Sequence, residues 1–77
     1  MSNEEIINLL NLISWDWDRL SRSGQSIANE MFDDLENGVP FTKFKKYLMD
    51  LCWDYDRMSS GLQQEMQYAA KQLGFEL

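Results

Sequence analysis

The chain has 77 residues, 44% hydrophobic and 26% charged, with a net charge of −6, one cysteine and no histidine. That composition suits one small domain with its own apolar core, and it is too apolar for a disordered segment. The acidic balance disfavours direct nucleic-acid binding, which wants a basic stripe, and a lone Cys52 without histidine excludes a zinc site within the chain. Cys52 has no intramolecular disulfide partner and suits a reducing cytosol. The start, Met-Ser-Asn-Glu-Glu, lacks the basic region of a secretory signal, and no apolar run approaches a membrane span. The expectation is a cytoplasmic protein away from membranes.

Ser2 and Glu5 form a Ser-x-x-Glu capping box that opens a first helix, whose stripe runs Ile6, Leu9, Leu10, Ile13, Trp17, Leu20. Ser21-Arg22-Ser23-Gly24 breaks it, and Ser23 is expected to cap a second helix lined by Ile27, Ala28, Met31, Phe32 and Leu35. Asn37-Gly38 stops that helix, and Pro40 suits the first turn of a third. The third stripe is Phe41, Phe44, Leu48, Leu51, Tyr55, Met58. After Ser59-Ser60-Gly61, a fourth helix carries Leu62, Met66, Ala69, Ala70 and Leu73. Gly74 is a natural left-handed terminator, with Phe75 folding back on the last turn. The spacing predicts helices at roughly 3–20, 24–37, 41–58 and 61–73.

Residues 15–21 read Trp-Asp-Trp-Asp-Arg-Leu-Ser and residues 53–59 read Trp-Asp-Tyr-Asp-Arg-Met-Ser, 38 positions apart. Leu10 aligns with Leu48, Ile13 with Leu51, Gln25 with Gln63 and Leu35 with Leu73 in the same register. Residues 1–38 and 39–77 therefore read as diverged copies within a single domain. Short connections favour antiparallel neighbours, giving an all-α four-helix bundle built from two duplicated helical hairpins. The charge is unequal between them. Residues 1–39 hold eight acids and two bases, while residues 40–77 hold five of each. A cationic partner is the complementary expectation.

Trp17 and Tyr55 fall on the apolar stripes and read as core. Trp15 and Trp53, two residues earlier, lie about 200° away around the helix and cannot share that face. They are candidate interface anchors, with Asp16, Asp18 and Asp54 beside them. Asp16 and Asp54 stand three residues before Arg19 and Arg57, a spacing that favours ion pairs. Asp-x-Asp is no calcium loop here, because the following ligand and turn positions hold Leu20 or Met58 and Ser21 or Ser59. Glu30, Asp33, Asp34 and Glu36 place four acids in seven residues, mostly at the unfavourable end of the helix dipole. Either the lysines at 43, 45 and 46 relieve them, or they form a docking face for a basic partner. No histidine, glycine-rich phosphate loop or nucleophile–base pair is present, so the chain reads as a binding protein without cofactor or metal, not an enzyme.

From Ile27 onward the chain resembles small helical immunity proteins of bacterial toxin systems, those of the Maf polymorphic toxins and of contact-dependent growth inhibition. The resemblance is carried by Asn29-Glu30, Leu48, Leu51-Cys52, Tyr55-Asp56 and the closing Ala69-Ala70-Lys71-Gln72-Leu73-Gly74-Phe75. It implies a cytosolic protein that binds a cognate toxin domain, often a nuclease, and blocks it. Alternatives are a phage or mobile-element inhibitor that imitates phosphate charge, and a helical scaffold that pairs with itself as a homodimer.

Overall fold

A computed structural model describes residues 2–37 and 41–77, with the side chains of residues 41 and 42 left aside. The fold is all-α, with four helices and no strand among the described residues: α1 (Asn3–Trp15), α2 (Arg22–Glu36), α3 (Phe41–Leu51) and α4 (Ser60–Leu73). Gly38, Pro40 and the expected core position of Phe41 lie outside what is described. No described helix is long and apolar enough to cross a membrane.

The first and third helices are shorter than the periodicity predicts. Each gives way to a 3-10 segment, Trp17–Arg19 in one repeat and Cys52–Arg57 in the other. The tighter winding still delivers Leu20 and Met58 to the core, so the apolar spacing holds although the last turns are 3-10 and not α-helical. Gln25 Nε2 donates to the Trp17 carbonyl at 3.0 Å, and Gln63 Nε2 donates to the Tyr55 carbonyl at 2.9 Å. The conserved register of Gln25 and Gln63 thus has a physical reason: each glutamine satisfies a carbonyl in its own repeat's turn.

The core gathers Leu9, Ile13, Met31, Leu48, Leu51, Leu62 and Met66, all essentially inaccessible to water. The broadest helix pairings are α2 with α3 and α1 with α4, which join the two repeats, whereas α1 touches α2 along a thinner seam. The buried face of each repeat is therefore covered mainly by the other copy.

Capping shows how the copies are locked together. In α1 the Ser2 side chain accepts from the Glu5 N–H, while the Ser2 N–H donates to Glu5 Oε1 at 2.8 Å. α2 is capped by Ser21, not Ser23, and α4 by Ser59, each hydroxyl accepting from the third helical residue. That residue is Gly24 or Leu62, and neither has a carboxylate to return the bond. The missing acid comes from the opposite repeat. The Ser21 N–H and hydroxyl donate to Asp54 Oδ2 at 3.0 and 2.8 Å, and the Ser59 N–H donates to Asp16 Oδ2 at 2.8 Å. Asp16 and Asp54 are 8% and 6% exposed, each buried at the positive end of a helix dipole.

At the other end of α4, Gly74 adopts φ 78° as expected, and the Phe75 N–H donates to the Ala70 carbonyl at 3.0 Å. Phe75 packs partly buried against the core.

Two glycines of similar sequence context should respond oppositely to alanine. A Cβ on Gly24 would collide with Asp54 Oδ2 and sit 3.3 Å from Leu20 Cβ, whereas Gly61 has open space around it. Gly61→Ala should stabilise by up to about 1 kcal/mol through helix propensity and a less flexible unfolded chain. Gly24→Ala should destabilise by roughly 1–3 kcal/mol, because displacing a buried carboxylate from its donors outweighs the same gain. Denaturant midpoints of the two variants check the signs. Leu51→Ala, at a fully buried position, should lose roughly 2–5 kcal/mol, and an unshifted melting curve would contradict the packing described.

Candidate functional site

The repeated runs at 15–21 and 53–59 divide their residues between two tasks. Trp15 and Trp53 are 78% and 91% exposed, the most accessible of the large hydrophobic side chains described. Trp17 and Tyr55, two residues on, are half-buried against the core. Asp18 is exposed on the first 3-10 segment. Asp16 and Asp54 are the exceptions among the candidate partner-binding residues: the fold consumes both carboxylates internally. Nor do they pair with Arg19 and Arg57. The winding change after residues 15 and 51 turns the aspartates inward, while the arginines remain exposed.

On α2, Glu30, Asp33 and Glu36 are exposed and Asp34 is half-buried. Only Asp34 among them is ion-paired in the described residues, with Lys43 Nζ 3.7 Å from its Oδ2. The Tyr47 hydroxyl donates to the same oxygen. The lysine-relief expectation is therefore met at one acid by one lysine of α3. At the helix end, Asn37 Nδ2 donates to the Asp33 carbonyl at 3.0 Å, satisfying one terminal acceptor without adding positive charge.

A cleft that the sequence pattern missed lies along the thin seam between α1 and α2. It encloses about 280 Å³ and is lined by Ile7, Leu10, Asn11, Ser14, Phe32 and Leu35. Leu35, expected in the core, is 44% exposed here, and Ile7 is 50% exposed. The available signal was Ile7 itself, an apolar residue one step off its helix's stripe. In the second repeat a cleft of about 270 Å³ is bordered by Met49, Cys52, Trp53 and Leu77. Cys52 Sγ there donates to the Leu48 carbonyl at 3.1 Å, and burial pushes its thiol pKa up, which disfavours the reactive thiolate. The features left at the surface are exposed indoles, a carboxylate-rich helix face and an apolar cleft.

No protein-family model matches this chain, and comparison with curated proteins and with solved structures finds no match.

Hydrogen bonding to Asp34, with partial burial and the nearby charge of Asp34 and Glu30, pushes the Tyr47 pKa from 10.0 up to about 12. The folded chain thus holds this proton more tightly than the unfolded one. The resulting stabilisation is whole below about pH 10 and fades as pH rises towards 12. Tyr47→Phe should flatten the fall of the unfolding midpoint across that window; superimposable alkaline profiles would contradict the bond.

Proposed function

We propose that the protein is an immunity-type inhibitor that binds and neutralises a basic toxin domain, a nuclease, inside the bacterial cell that makes it. The observation that supports this most is the one-sided charge. Residues 1–39 carry eight acids against Arg19 and Arg22, and Glu30, Asp33 and Glu36 face solvent on one helix. A protein that grips phosphates presents a basic surface, and an acidic helix face steers such a partner into encounter. The resemblance of residues 27–77 to Maf-type and contact-dependent growth-inhibition immunity proteins points the same way. Exposed Trp15 and Trp53 add apolar area of the kind that anchors protein interfaces. Neutralisation on this account is occupation of a surface, with no bond made or broken.

The test is whether a neighbouring gene encodes a toxin domain, then co-expression with that domain and association kinetics with the purified domain. The wild-type chain should restore growth. Glu30→Lys with Asp33→Lys and Glu36→Lys should slow association about tenfold or more at low salt, and much less where screening shortens to about 3 Å at 1 M. Asp34 is left intact because Tyr47 and Lys43 hold it. Growth that is not restored, or association rates unchanged at both salts, would overturn the proposal.

A further inference from the structure

The two clefts share one wall: shifting by 38 residues carries Asn11 and Ser14 onto Met49 and Cys52. Their other walls differ, because Ala70 and Leu73, the counterparts of Phe32 and Leu35, do not line the second cleft. In the second repeat, the left-handed turn at Gly74 sends the last residues back, and Leu77 joins Met49, Cys52 and Trp53 at the cleft. In the first repeat the residue equivalent to Gly74 is Glu36, still helical, and Asn37 stands where the second repeat has Phe75. No described segment returns over Ile7, Leu10, Phe32 and Leu35.

The electrostatics of the open cleft are also distinct. α1 has Glu4 and Glu5 in its first turn and no base anywhere along it. On α2, Glu36 is one helical turn beyond Phe32 on the same face, and the helix's one base, Arg22, is at its far end. The second repeat carries Lys45 at the position of Ile7.

The geometry points to the α1–α2 cleft as the docking site for a short apolar segment of the partner protein, flanked by lysine or arginine. It would lie as the Phe75–Leu77 tail lies on the second repeat, with cations towards Glu4 and Glu36 where the tail carries Glu76. This deepens the reading of an acidic inhibitor and rests on it for the partner's charge. An acidic or neutral apolar segment would gain the same burial but meet repulsion or no attraction at the rim, so charge selects the occupant.

The probe is an amidated Gly-Phe-Lys-Leu-Lys-Lys peptide, compared with its Gly-Phe-Glu-Leu-Glu-Glu counterpart, titrated into the labelled full chain and followed by backbone amide shifts. Saturable shifts confined to Ile7, Asn11, Ser14, Phe32 and Leu35 are expected, with the lysine peptide binding about tenfold or more tightly at low salt. Ile7→Lys imports the residue type of the second repeat and should abolish binding while helicity is retained. Asn11→Lys, at an exposed site, is a second blocking variant should the first unfold. Shifts spread over Glu30 and Asp33 without the cleft, shifts at Met49, Cys52 and Trp53, or no saturation would each overturn the proposal. The peptide experiment requires no toxin. Its failure alongside a salt-sensitive charge-reversal effect would remove the cleft and leave the acidic inhibitor standing. Peptide binding without growth rescue would do the reverse.

Discussion

The fold depends on an exchange of carboxylates between its halves. Asp54 bonds the N-terminus of α2, and Asp16 bonds that of α4. An aspartate removed from water is costly unless donors surround it, and hydrogen bonds to charged groups contribute about 1.5–3 kcal/mol each. A helix N-terminus supplies both an orphan N–H and a favourable dipole, so it is among the few places where a short acid can be buried without a cationic partner. The arrangement also determines the turns. Asp16 and Asp54 turn inside where the winding tightens, just after Trp15 and Leu51.

Departures from reciprocity show where the two copies have separated. Gly24 lets Asp54 approach closely enough to bond both the N–H and the hydroxyl of Ser21. Its counterpart Leu62 fills that space with core, and Asp16 bonds only the N–H of Ser59. The second repeat has balanced charge, and its C-terminal Leu77 borders its cleft. The first repeat holds the excess of negative charge, and among the described residues no returning segment borders its cleft.

Helix content and most of the core were legible because they are periodic. Leu9, Ile13, Leu48, Leu51, Leu62 and Met66 are buried where a 3.6-residue repeat puts them. The exposure of Trp15 and Trp53 followed from the same arithmetic. What could not be read locally was the destination of Asp16 and Asp54, since an arginine three residues away is visible in sequence and a serine N–H 33 or 43 residues away is not. Ser21 and Ser23 are both capping residues by type, and the N-cap at Ser21 is joined by an acid arriving from the other repeat, which local sequence does not show. Leu35 sits on its stripe yet remains half out of the core, because helix crossing decides which end of a stripe is covered.

Under the 38-residue shift Ser21 becomes Ser59 and Asp54 becomes Asp16, so each exchanged bond maps onto the other. That is the contact rule of an isologous interface, the kind formed by two identical subunits about a dyad. A single copy would present a helix start with no returning acid and an aspartate with no donor, and a second copy of itself would satisfy both at once. The chain thus has the anatomy of a homodimer whose protomers were joined end to end. Because the halves are separate stretches of one chain, a position can differ between them, as Gly24 and Leu62 do, without the change being imposed on both, which no true dyad of identical subunits allows.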